Sequence, residues 1–157
     1  VKKLVVLSAL LLLVASLASA ETPKKGNVIL SAGWSVSAPT EETDSRVSAP
    51  FVGVEGFVSD NFSLGISLSQ ANTEEAEKIY AVTMAPRWGN FYFPIGLVGA
   101  EVPDRTAPVW GYTGGIGADF WNGPHLGLSV SGHYNYLQST QLDGNFFEVR
   151  GALRFKF

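Results

Sequence analysis

Phe146-Phe147-Glu148-Val149-Arg150-Gly151-Ala152-Leu153-Arg154-Phe155-Lys156-Phe157 closes the chain, and the parity of this stretch decides the fold. Alternate positions give one set of Phe147, Val149, Gly151, Leu153, Phe155 and Phe157, and another of Phe146, Glu148, Arg150, Ala152, Arg154 and Lys156. A β-strand sends successive side chains to opposite faces, so the stretch predicts a strand with one greasy and one charged face. In a soluble sandwich the charged face would meet water, with the chain end as an edge. In a membrane barrel the greasy face meets lipid and the charged face meets a polar interior.

Seven earlier stretches repeat the pattern, and together they predict an eight-stranded antiparallel barrel. Val28 to Ala38 sets Val28, Leu30, Ala32, Trp34 and Val36 against Ile29, Ser31, Gly33 and Ser35. Val47 to Val58 sets Val52, Val54 and Val58 against Phe51, Gly53, Glu55 and Phe57, with Gly56 as the expected bulge. Phe62 to Ser69 alternates strictly. Ile79 to Trp88 places Tyr80, Val82, Met84, Pro86 and Trp88 opposite Ala81, Thr83, Ala85 and Arg87. Phe91 to Glu101 turns Phe93, Ile95 and Leu97 outward. Val109 to Trp121 opposes Trp110, Tyr112, Ile116, Ala118 and Phe120 to Thr113, Gly115, Gly117 and Asp119. Leu126 to Leu137 opposes Leu126, Leu128, Val130, Tyr134 and Tyr136 to Gly127, Ser129, Ser131, His133 and Asn135.

Connection lengths alternate. Ser59-Asp60-Asn61, Gly89-Asn90 and Asn122-Gly123-Pro124 are tight turns. Pro39 to Ser45, Ala71 to Lys78, Val102 to Pro108 and Gln138 to Asn145 are longer and polar. Up-and-down outer-membrane barrels alternate in this way, with short periplasmic turns, and an even strand number then leaves both termini in the periplasm. Each strand matches the roughly 9–11 residues that cross a bilayer at a tilt.

Aromatic residues gather at two levels. Phe57, Phe62, Trp88, Phe91, Tyr92, Phe120, Trp121, Phe155 and Phe157 lie near the short turns, and Trp34, Tyr80, Trp110, Tyr112, Tyr134 and Tyr136 lie toward the long connections. Two girdles around an apolar band suit the two lipid–water interfaces. The inward set is small or polar, as in Gly33, Ser35, Ser63, Gly65, Ser67, Thr83, Gly115, Ser129 and Ser131. A soluble ligand-binding barrel would need the reverse. Eight strands enclose a bore that side chains can fill, so a wide channel is not expected.

Residues 1–20 read as a secretory signal peptide: Lys2-Lys3, an apolar run from Leu4 to Leu17, and the small-residue site Ala18-Ser19-Ala20. Residues 21–157 form the barrel domain. Losing Lys2 and Lys3 with the leader takes the formal charge from −3 to −5, which argues against a nucleic-acid partner. The chain has no Cys, so a secreted protein of this sequence takes its stability from the fold rather than from disulfides.

The candidate site is a lumen ionic network of Glu55, Arg87, Asp119, Glu148, Arg150 and Arg154. Glu55, Arg87, Asp119 and Arg154 all lie near a short turn or the C-terminus on even-numbered strands, and are expected to form one layer. Glu148 and Arg150 are expected nearer mid-barrel. Buried charges need partners, and three acids and three bases can pair. The preferred reading is a packed polar plug, and the alternative is a narrow ion path. Catalytic, cofactor and metal sites are not expected. Glu41, Glu42 and Asp44, like Glu74, Glu75 and Glu77, read as solvated loop charge rather than a cation site.

Over its mature length the chain resembles the small eight-stranded OmpA/OmpX-type outer-membrane β-barrel proteins. The resemblance rests on the leader, the four hairpins, the terminal Phe157 and the run Trp110-Gly111-Tyr112-Thr113-Gly114-Gly115-Ile116-Gly117-Ala118-Asp119-Phe120. It implies insertion into a Gram-negative outer membrane, contact with lipid and lipopolysaccharide, a structural or surface-interaction role, and a monomer. It also implies that Phe155 and Phe157 form the C-terminal signal read by the barrel-assembly machinery. Transport of small or hydrophobic solutes is the rival function. A lipid A-modifying hydrolase is a further one, because His133 and Glu148 faintly resemble part of the site of the lipid A deacylase barrels. The position two residues after His133 is Asn135, which cannot serve as the nucleophile.

Overall fold

The computed structural model describes residues 22–39, 47–70, 78–102, 106–138 and 143–157. The expected leader and the two acidic connection clusters lie outside the described residues. The elements are β1 (Val28–Pro39), β2 (Val47–Ser59), β3 (Phe62–Gln70), β4 (Lys78–Trp88), β5 (Phe91–Tyr92), β6 (Ile95–Glu101), β7 (Val109–Asn122), β8 (Leu126–Gln138) and β9 (Asp143–Lys156). Strands adjacent along the chain pair antiparallel except β5 and β6, which each pair with β4 and β7, and β9 returns to β1. The sheet is therefore closed. Because β5 and β6 both lie between β4 and β7, they form one broken stave, and the barrel has eight staves.

Most strand ends match the sequence reading to within one residue, and two elements differ by more. The fifth stave breaks at Phe93-Pro94, because proline brings no N–H to the ladder. The break is bridged by Phe93 N–H to Pro86 C=O at 3.0 Å and Gly115 N–H to Pro94 C=O at 2.8 Å. The last strand begins at Asp143, shortening the final connection. The bulge expected at Gly56 falls later: Gly56 pairs regularly with Leu64, and the register shifts between Phe57 and Ser59. Gly89 and Gly123, at φ of 59° and 82°, supply the left-handed residue of their turns.

Across the middle of the strands the outer surface is apolar. Ile66 is 60 % exposed and Leu153 58 %, both in mid-strand, with Val52, Val82, Leu97, Ile116 and Val130 similarly bare. A water-soluble barrel does not carry a continuous apolar belt of this kind. The girdle near the short turns needs correction. Trp88, Phe91, Phe155 and Phe157 are exposed there, but Phe57, Tyr92 and Trp121 point into the lumen and are buried. The inward set is also not uniformly small or polar. Val98, Ala100, Val109 and Leu137, with Ile79, Val102 and Phe146, form an apolar cluster inside the end bearing the long connections. Ile29, Phe57 and Trp121 form a second at the short-turn end.

Candidate functional site

Four charged residues from alternate staves meet near the short turns. Arg87 Nη1 donates to Asp119 Oδ2 at 2.8 Å and its Nη2 to Glu55 Oε1 at 2.8 Å. Arg154 Nη1 donates to Asp119 Oδ1 at 2.5 Å, and its Nη2 to Glu55 Oε2. Each guanidinium therefore bridges both carboxylates, and each carboxylate offers one oxygen to each arginine. The planar fork of arginine suits such double bridging, and lysine could not reproduce it.

Strand parity and neighbouring residues explain the arrangement. Inward Glu55 stands opposite Gly65 on β3, and Asp119 opposite Ser129 on β8, so the bore has space for both carboxylates. Ser63 donates a further hydrogen bond to Glu55. The inward aromatics act as shelves. Arg87 lies over the rings of Phe57 at 4.6 Å and Tyr92 at 4.8 Å, and Arg154 over Tyr92 at 5.7 Å and Trp121 at 6.0 Å. The Tyr92 and Ser129 hydroxyls are 2.7 Å apart. Side-chain exposure is 2 % for Arg87, 1 % for Asp119 and 4 % for Arg154, so the ring is an interior structure whose charges satisfy one another.

Glu148 and Arg150 stand further toward the long connections. Glu148 Oε2 accepts from Arg150 Nη2 at 2.9 Å and from Asn135 Nδ2 at 3.4 Å. Arg150 Nη1 reaches Ser67 Oγ at 3.1 Å, and its guanidinium lies 5.2 Å from the Phe51 ring centre. His133 faces inward, with Nε2 2.9 Å from Ser131 Oγ. The structure thus places all six charged candidates in the lumen, four in one ring and two in a separate pair.

Phe155 and Phe157 lie on the outer face at the short-turn end and pack edge to face at 4.8 Å. The Phe157 backbone exchanges hydrogen bonds with Val28. Three lumen residues escaped the sequence reading as partners of the ring, namely Phe57, Tyr92 and Trp121. Their parity carried the signal: Phe57 shares a face with Glu55 and Trp121 with Asp119, and Tyr92 stands directly opposite Arg87.

The arrangement is poorly suited to hydrolysis. His133 and Glu148 are cross-strand partners, but Arg150 and Asn135 occupy Glu148 Oε2, and the Ser131–His133 pair faces the bore rather than lipid. Among the described residues no group of three His, Cys, Asp or Glu is placed to hold a metal ion.

No protein-family model matches the sequence, and no curated protein does. Solved structures match in shape. The N-terminal β-barrel domain of OprF from Pseudomonas aeruginosa superposes with a TM-score of 0.68 at 11 % identity, over 86 % of this chain and 100 % of that one. Ail of Yersinia pestis, an attachment invasion locus protein crystallised with the heparin analogue sucrose octasulfate, gives 0.58 at 15 % identity, over 85 % and 99 %. A de novo designed transmembrane β-barrel gives 0.59 at 16 % identity, over 87 % and 100 %. The chain has the fold of the small eight-stranded outer-membrane β-barrels.

Proposed function

We propose that this chain is an integral protein of the bacterial outer membrane, a monomer with a structural or surface-interaction role and a filled, non-conducting lumen. One observation carries the reading: the apolar side chains face outward as a belt while the charges face inward in closed pairs. Lipid solvates such an exterior and water does not. The paired charges and the apolar clusters at both ends of the bore favour a plug over an ion path. In this reading the short turns and both termini face the periplasm. Outer-membrane lipid and lipopolysaccharide surround the belt, and the assembly machinery reads Phe155 and Phe157. No enzymatic activity is assigned.

The connections also bear on the partner. Ail was crystallised with a polyanion. Here the segments joining the strands carry Glu41, Glu42, Asp44, Glu74, Glu75, Glu77 and Asp104 against Arg46 and Arg105. Such a balance repels sulfated chains and favours neutral or cationic partners.

Two measurements test the reading. The folded protein in detergent should migrate differently on a gel before and after boiling; identical mobility would remove the barrel. In planar bilayers it should be nearly silent. Stable single-channel steps would overturn the plug and favour solute transport.

A further inference from the structure

We propose that residues 22–27, which lead into the barrel, form a latch that fastens the joint between β1 and β9, with Asn27 at its centre. β1 and β9 are the first and last strands, so no hairpin turn joins them, and the end of such a pair frays unless something ties it. Val28 and Phe157 stand at the short-turn end of this joint, 41 % and 61 % exposed, so packing within the protein does not hold them.

The lead-in supplies the tie. Lys24 to Asn27 make a tight turn, closed by Asn27 N–H to Lys24 C=O at 3.0 Å, and Gly26 at φ of 89° takes the third position, where such turns need a left-handed residue. The Asn27 side chain then works in two directions. Its Oδ1 accepts from the Lys24 N–H at 2.8 Å, which fixes the turn. Its Nδ2 donates to the Phe157 C=O at 3.1 Å, which crosses the joint. Val28 N–H reaches that carbonyl only at 3.4 Å, beyond the usual range, so the Asn27 amide is its closer donor.

The latch is itself anchored. Gly26 N–H donates to Phe57 C=O at 2.8 Å, Phe57 N–H to Asn27 C=O at 2.9 Å, and Lys25 N–H to Asp60 Oδ1 in the β2–β3 turn at 2.8 Å. Pro23, just before the turn, is buried. From the other side, Lys156 N–H donates to His125 C=O at 2.7 Å, and His125 Nδ1 lies 2.9 Å from the Lys156 carbonyl oxygen. The last residues of β9 are therefore gripped between the β7–β8 turn and the lead-in.

Asn27→Asp and Asn27→Ala separate the latch from the turn. An ionised Asp keeps an oxygen for the Lys24 N–H but has no donor for the Phe157 C=O, whereas Ala loses both. Both variants should unfold faster in urea and detergent than the unaltered protein. The expected factor is roughly two- to tenfold, the worth of one hydrogen bond that is lost as the joint opens. The Phe157 amide should also exchange with deuterium faster in Asn27→Asp. An unfolding rate in Asn27→Asp equal to that of the unaltered protein would reduce Asn27 to a turn residue and overturn the proposal. Faster unfolding without faster Phe157 exchange would trace to the new charge and overturn it as well. A measurement on the unaltered protein needs no variant to fold. The Lys25 and Gly26 amides should be protected from exchange, and exchange as fast as in an unstructured peptide would mean that the lead-in is not latched.

Discussion

Arg154 on β9 and Asp119 on β7 stand on staves separated by β8, yet Arg154 Nη1 lies 2.5 Å from Asp119 Oδ1. The contact spans the bore because charges occupy every second stave in the order Glu55, Arg87, Asp119, Arg154, with alternating sign. Every member has two neighbours of opposite charge. The ring ties together four staves that share no direct hydrogen-bonded edge, a bracing that the ladder alone cannot supply.

Removing one member should therefore be costly. Arg87→Met leaves Glu55 and Asp119 with a single guanidinium between them, and breaking a buried pair costs about 3–5 kcal/mol. The urea midpoint in detergent should fall clearly. An unchanged midpoint would mean that the ring does not brace the barrel. The double variant Arg87→Met with Asp119→Leu keeps the Arg154–Glu55 pair and restores charge balance, so it should be less damaging than the two single losses combined.

Tyr92 and Gly117 offer a second test. They are cross-strand partners, and a Cβ built on Gly117 would run into the Tyr92 ring. Gly117→Ala must displace that ring from its place beneath Arg87 and Arg154, at a cost of about 1–3 kcal/mol. In a Tyr92→Ala background the same substitution should cost little. Equal destabilisation in both backgrounds, read from urea midpoints, would show that the glycine serves some other purpose.

These contacts also mark what the sequence could and could not convey. Parity alone placed Glu55, Arg87, Asp119 and Arg154 inward, because a period of two is enforced wherever the two faces meet different surroundings. The aromatics misled because proximity to a turn is shared by two environments. Trp88 at a turn faces outward, while Trp121, one residue from Phe120, turns into the bore. Parity extended from Asp119 would have found it. The apolar cluster of Val98, Ala100, Val109 and Leu137 was obscured for a similar reason, since an apolar residue on either face looks the same without the register. The shift between Phe57 and Ser59 carries no glycine, so composition offered nothing to place it.

If the outward apolar belt faces lipid, as proposed, substitutions on it should cost according to depth. Ile66→Arg or Leu153→Arg places a charge mid-strand on the outer face, which costs about 2–4 kcal/mol at the bilayer midplane. Trp88→Arg, beside a short turn, should cost about 0–1 kcal/mol, the value near an interface. Folding yields and urea midpoints in lipid vesicles measure both. If all three substitutions were equally benign, the belt would face water, and the membrane assignment would fail.

Lipid A chemistry supplies the last test. A deacylating barrel needs a nucleophile and a base turned toward lipid, and here His133 turns inward with Ser131 while Asn135 stands two residues on and binds Glu148. Glu148 is further held by Arg150. A carboxylate fixed by a guanidinium is poorly placed to activate an imidazole on the next strand. The lipid A mass profile of cells with and without this protein in the outer membrane should therefore be identical. Loss of one acyl chain, abolished by Ser131→Ala or His133→Ala in a barrel that still shifts on boiling, would establish an activity that the lumen geometry argues against. An unchanged profile would leave conductance and binding as the functions to separate, and the acidic connections already favour a partner that is not a polyanion.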